Sequence, residues 1–148
     1  ELTKKRQQLG SELTCITADI TSDSQALDSW VGQLDGIVSS MALHHVKHTQ
    51  TLLREFYRLL KPTGCMALAH LDKEDGSFHG DRATNAAKGV QHFGFDRVAL
   101  QQLAESVGFG SVDFITANTL QRPQGDFPVF LLTATKNHRE AHYDQPTP

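Results

Sequence analysis

Leu34-Asp-Gly-Ile-Val-Ser-Ser-Met-Ala-Leu-His-His-Val46 decides the architecture of this 148-residue chain. Its first ten residues are a near-continuous apolar run, the pattern of a strand buried on both faces of a parallel sheet. A polar rim follows at the strand's end. Downstream, Thr49 is a candidate N-cap, and Leu52, Leu53, Phe56, Leu59 and Leu60 recur at helical spacing. Arg54, Glu55 and Arg58 take the wet side of that helix. Pro62 cannot continue it and Gly64 supplies a turn, so residues 65–70 read as the next buried strand. Upstream, residues 13–20 are short, β-branched and apolar, which reads as a strand. Residues 21–24 form a polar turn, and residues 25–33 have room for one or two helical turns around Trp30. Residues 1–10 read as the end of a helix, with Gly10 and Ser11 as stop signals.

Residues 71–94 are long, polar and irregular, and loops of that length inside compact domains are usually functional or mobile. Asp96 can cap a helix whose Leu100, Leu103, Ala104 and Val107 share one face, with Gly108 ending it. Residues 111–119 alternate apolar and polar positions as a strand does. Pro123 and Gly125 mark a turn, and residues 127–135 are apolar enough to be a central strand. Two successive strands without a helix between them must run antiparallel. The fold class is therefore α/β: parallel strands ending in an antiparallel hairpin, with helices on both faces. Residues 1–135 form one domain and residues 136–148 a polar tail.

Composition narrows the partners. The formal net charge is −3, with 14 basic and 17 acidic residues mixed along the chain. Phosphate backbones need clustered positive charge, so no nucleic-acid surface is expected. No apolar run approaches the roughly 18 residues of a membrane span, and no apolar segment follows the N-terminus as in a signal peptide. Cys15 and Cys65 both lie in apolar, strand-like runs and read as buried free thiols of a cytoplasmic protein. Their spacing fits neither a metal nor a redox motif. The spacing of the eight histidines matches no metal-ligand pattern, so no metal is expected, and a metal-dependent hydrolase is the weaker alternative. Nothing marks a strained nucleophile turn.

Four pieces, in order, carry a resemblance: Ala18-Asp19-Ile20 at a strand end, residues 35–46 quoted above, Leu59-Leu-Lys-Pro-Thr-Gly64, and Val107-Gly-Phe109. Over residues 1–135 the chain resembles the C-terminal two-thirds of a class I S-adenosylmethionine-dependent methyltransferase. The nearest subgroup is the broad one containing ubiquinone- and menaquinone-biosynthesis C-methyltransferases. The resemblance implies S-adenosylmethionine as cofactor and a small-molecule acceptor, with ligands at the carboxyl ends of the strands. It implies that Asp19 accepts a hydrogen bond from the adenine amino group and that Ile20 packs on the ring. Backbone at Ser40, Met41, Ala42 and Leu43 would line the methionine part. His44 and His45 would face cofactor or substrate and are the catalytic candidates, His45 also counting among the cofactor contacts. Phe78, His79, His92 and Phe93 would line a substrate pocket.

Blander readings stand beside these. Asp19 suits a turn after a strand, the histidine pair can cap a helix or face solvent, and Asp72, Lys73, Glu74 and Asp75 suit a solvated loop. The family's Gly-x-Gly loop and the acidic residue ending its second strand are not in this sequence. Gly32 with Gly36, and Gly108 with Gly110, have the wrong spacing and setting. The expectation is a domain that lacks its first two strands. The strand at residues 13–20 would then pair directly with the one starting at Leu34, or be completed by a second copy in a homodimer. A non-catalytic, self-associating methyltransferase-like remnant is the alternative.

Overall fold

A computed structural model describes residues 14–137. Strand β1 (Leu34–Ser40) leads through a short 3-10 turn (Leu43–His45) into helix α1 (Thr49–Leu59). Strand β2 (Leu60–Leu71) follows without a linker. A 3-10 turn (Ser77–His79), helix α2 (Arg82–Ala87) and helix α3 (Arg97–Val107) come next. Strands β3 (Phe109–Arg122) and β4 (Gly125–Lys136) close the order. The sheet order is β1-β2-β4-β3. β1 and β2 run parallel, while β4 lies antiparallel to both β2 and β3. The antiparallel hairpin and the central place of β4 are as the sequence reads. Both hairpin strands extend beyond the alternating core, to a tight turn where Arg122 faces Gly125.

The core forms on one face of the sheet. Met66, Leu68, Phe130, Leu132 and Ala134 alternate inward. Leu52, Leu53 and Phe56 of α1, with Leu100 and Ala104 of α3, cover them. This is the 3.6-residue stripe meeting the two-residue period of a sheet. Lys136 ties the end of β4 to the end of α1 by donating to the carbonyls of Tyr57 (2.7 Å) and Leu60 (2.8 Å). α3 starts on the Asp96 side chain, which accepts from the Ala99 N–H at 2.8 Å, and stops at Gly108 with φ +117°. The sequence places helices on both faces, and α1 and α3 share this one. The other face carries Val38 and Ile115 at 85% and 59% exposure.

Several expectations need correction. Residues 14–19 form no strand and pair with nothing in the sheet. Their apolar, β-branched composition suits a strand, but a strand also needs a neighbour to take its backbone hydrogen bonds, and β1 does not take them. Asp19 therefore ends no strand. Its carboxylate accepts from the Thr21 N–H (2.9 Å) and hydroxyl (2.7 Å), an Asx turn in open solvent. Cys15 and Cys65 are exposed, not buried. Cys65 falls on the open face of β2, one residue out of phase with Met66. His48, not Thr49, is the N-cap of α1, and the buried Thr49 hydroxyl has no hydrogen-bond partner. The region read as an irregular loop contains α2 and is closed at its base. The Phe95 N–H bonds the Leu71 carbonyl, and the Lys73 N–H the Phe95 carbonyl, both at 3.0 Å. The helix expected over residues 1–10 lies outside the described residues, as does the tail beyond residue 137.

Candidate functional site

The site grows from the carboxyl ends of the two parallel strands, where an open α/β sheet leaves a crevice. Beyond Ser40, the Met41 N–H bonds the Ala69 carbonyl of β2 at 2.9 Å. Met41 itself has φ +53°, a left-handed conformation unusual for a side-chain-bearing residue. That twist swings the chain off the sheet and into the Leu43–His45 turn. His44 points inward at 4% exposure, and His70, near the end of β2, is at 1%. Their rings meet: Nδ1 of His44 lies 2.9 Å from Nε2 of His70.

Other histidines crowd the same place. Ring centroids of His45 and His79 lie 4.0 and 4.9 Å from that of His44. His92 packs on Phe95 at 5.1 Å and donates to the Val46 carbonyl at 3.0 Å. The His44 carbonyl accepts from the Gln91 N–H at 2.7 Å, and His45 Nδ1 reaches the Gly89 carbonyl at 3.3 Å. Together these bonds close residues 89–92 over the end of β1. At the rim, Phe78 packs on Phe127 (5.1 Å), with the Arg122 guanidinium above it.

Electrostatics follow from this crowding. Burial, reinforced by neighbouring His45, His70, His79 and His92, holds His44 down to about 4. Burial does the same to His70, also to about 4, and lowers His79, with Lys88 adding to the effect. The pair at the centre is therefore neutral near pH 7. Beyond His70, Arg97 donates to both carboxylate oxygens of Asp72, at 2.6 and 2.8 Å, and to Thr116. Among the described residues, no group of three or more His, Cys, Asp or Glu is placed to hold a metal ion.

A second hollow of about 620 Å³ opens beside the histidines, lined by Asp75, Ser77, Asp81, Asn85 and Phe93 among others. Asn85 is buried there; its amide donates to the Gly76 carbonyl at 2.8 Å, and its Oδ1 has no partner. Among the expected site residues, the structure brings together Leu43, His44, His45, His79 and His92, with Phe78 at the rim and Phe93 in the adjoining hollow. Asp19 and Ile20 stand apart. Ile20 lines an apolar groove against Leu34, Phe56 and Leu59, at the other end of β1. Sequence reading passed over two residues as site members. His70 looked like one histidine among eight, and Asn85 carried no signal. The position of His70 at a strand end, opposite the histidine pair, was the clue available for it.

The sheet order, the α-helical crossover from β1 to β2 and a polar crevice at their carboxyl ends define a Rossmann-like α/β fold of the methyltransferase type. Comparison with known proteins agrees. A family model described as a methyltransferase domain matches residues 1–68. An uncharacterized methyltransferase of Schizosaccharomyces pombe is 39% identical over 64 residues, which is 42% of this chain and 22% of that protein. Among solved structures, the 1,6-didemethyltoxoflavin-N1-methyltransferase of Burkholderia thailandensis, with bound 1,6-didemethyltoxoflavin and S-adenosylhomocysteine, aligns at TM-score 0.66 and 20% identity. It covers 93% of this chain and 56% of its own. A structure described as a sarcosine dimethylglycine methyltransferase from Galdieria sulphuraria aligns at TM-score 0.65 and 16% identity, covering 90% and 64%. The chain thus spans less than two thirds of each. The low identities carry the fold, and the match over residues 1–68 carries the methyltransferase-domain sequence pattern.

Proposed function

We propose that this chain is part of an S-adenosylmethionine-dependent methyltransferase acting on a small-molecule acceptor, in a single domain over residues 1–135. The observation that carries this reading is the coincidence of three things at one place. The methyltransferase-domain match runs through residue 68, β1 and β2 end together, and the buried His44–His70 pair, held neutral by burial, sits in the crevice beyond them. When bound, S-adenosylmethionine supplies an electrophilic methyl group. The chain's own part is to align the acceptor and exclude water.

The residues at the strand ends fit that cofactor in part. Backbone at Ser40, Met41, Ala42 and Leu43, turned by the left-handed Met41, suits the methionine portion, with His45 beside it. Phe78, His79, His92 and Phe93 offer the rim for an acceptor. Asp19 and Ile20 would reach the adenine only where residues 14–20 take up a strand beside the sheet, in a longer chain or against a second copy. The free edge of β1 supports such completion. A cytoplasmic setting accords with this reading, and among the described residues no helix is long and apolar enough to cross a membrane.

Calorimetric titration with S-adenosylhomocysteine tests the proposal. Saturable heat is expected, and in a chain extended upstream, where Asp19 can reach the adenine, Asp19→Asn should weaken it about tenfold or more, since a hydrogen bond to a charged group is worth roughly 1.5–3 kcal/mol. Neither heat nor thermal shift, for this chain or one extended upstream, would overturn it. A self-associating, non-catalytic role is the second reading, favoured by the exposed Val38 face. A monomer in light scattering that binds the cofactor analogue excludes it.

A further inference from the structure

The buried histidines form a chain of hydrogen bonds with a single consistent placement of protons. The Leu71 backbone N–H lies 2.8 Å from Nδ1 of His70. A backbone N–H only donates, so that nitrogen accepts and carries no proton. The Leu71 carbonyl is 3.5 Å from the same nitrogen, too far to compete. A neutral imidazole has one N–H, so His70 carries its proton on Nε2. That atom faces Nδ1 of His44 at 2.9 Å. His70 donates, His44 accepts, and the proton of a neutral His44 sits on its own Nε2. Among the described residues His44 makes no hydrogen bond through Nε2, and the rings of His45 and His79 flank it.

We propose that His70 is a positioning residue that fixes His44 as a neutral hydrogen-bond donor, and that His44 gives its Nε2–H to an oxygen of the methyl acceptor. The ligand class is a phenol, enol or similar oxyanion-forming compound. This rests on the methyltransferase reading and narrows its substrate. The same bonds exclude His44 as a general base. With Nδ1 occupied and Nε2 protonated, it has no lone pair to offer. The acceptor would bind already as its oxyanion, which a neutral donor holds in place by hydrogen bonding; forming the bond to the methyl carbon while the carbon–sulfur bond breaks then consumes that charge, so no base is needed. Burial and the neighbouring imidazoles keep the ring neutral. Of the charged side chains near the cluster, Glu74 and Lys88 act on His79 with opposite signs. Asp72, two residues beyond His70, is paired with Arg97 at 2.6 Å.

Long-range proton–nitrogen correlation NMR on the histidine-labelled chain near neutral pH reads the tautomer directly. The expected result is a pyridine-like Nδ1 and a pyrrole-like Nε2 on His44. The reverse pattern overturns the proposal whether or not any variant folds. His70→Leu should scramble the two forms, while His70→Gln, whose side-chain amide places an N–H donor near the former Nε2, should restore the wild-type pattern. The ligand half is read with 4-nitrophenolate, followed by its own absorbance in the presence of S-adenosylhomocysteine. His44→Phe should weaken phenolate binding about tenfold or more. Equal binding by wild type and His44→Phe, or none by wild type, removes the acceptor assignment. The NMR needs no cofactor, so a wrong tautomer sinks this inference and leaves the methyltransferase reading standing. A right tautomer without cofactor-analogue binding overturns the methyltransferase reading, and with it the acceptor assignment, and leaves only the tautomer placement.

Discussion

His44 and His70 make stability depend on acidity. Unfolded, each takes a proton near 6.5; folded, each holds out to about 4. Between those values the unfolded chain binds more protons, so stability is present above about 6.5 and is lost as the pH falls toward 4. Urea midpoints measured near pH 7 and pH 5 should differ, with the lower value at pH 5. His70→Leu should shrink the difference, because it removes one of the two groups. Identical midpoints for the wild-type chain would mean that the pair is not held neutral. The sequence marked His44, His45, His79 and His92 as site residues and not His70. Proximity between residues 44 and 70 depends on the parallel register, in which Ser40 pairs with Ala69. That register is not written in either segment alone.

Elements were the most legible level. The stripe of Leu52, Leu53, Phe56 and Leu59, the Asp96 cap and the Gly108 stop all follow from local spacing and local hydrogen bonds, and they lie where the sequence puts them. The segment at residues 13–20 failed for a physical reason: strand propensity is realised only with a partner strand, and its partner is not supplied by β1. Loop closure was equally hidden. Gly94, at φ +65°, sits where a Cβ would overlap the Asp72 carbonyl. Gly94→Ala should therefore cost more than about 2 kcal/mol in chemical denaturation, from backbone strain together with the clash. A loss below about 0.5 kcal/mol would show that the base of the loop is not held shut. Lys136→Met should cost about 1–2 kcal/mol, since two carbonyls at the end of α1 lose their donor. Thermal melts compared with the wild type would read this directly.

Among the described residues, sheet order places β1 at one edge and β3 at the other, and none of the helices covers the face around Val38. If copies meet through that face or edge, Val38→Lys should shift light scattering toward the monomer. It should change stability by no more than about 0.5 kcal/mol, because the side chain is 85% exposed. Unchanged self-association would place any contact elsewhere. Fold class was readable from the order of motifs, since strand, helix, strand and hairpin leave few topologies. What covers the second face was not readable, because it mixes small residues of β2 such as Ala67 and Ala69 with the isolated apolar Val38 and Ile115.

The position of β4 also sets a timetable for synthesis. Among the described strands it is the last to leave the ribosome, yet it inserts between β2 and β3. Until Lys136 has emerged, the β1–β2 pair lacks its other neighbour, with one side of the β2 backbone unpaired and Met66 and Leu68 short of their partners Ala134 and Leu132. Release of residues 125–136 is the moment the sheet can close. Translation stalled ahead of that point leaves a sticky half-sheet that chaperones must shield.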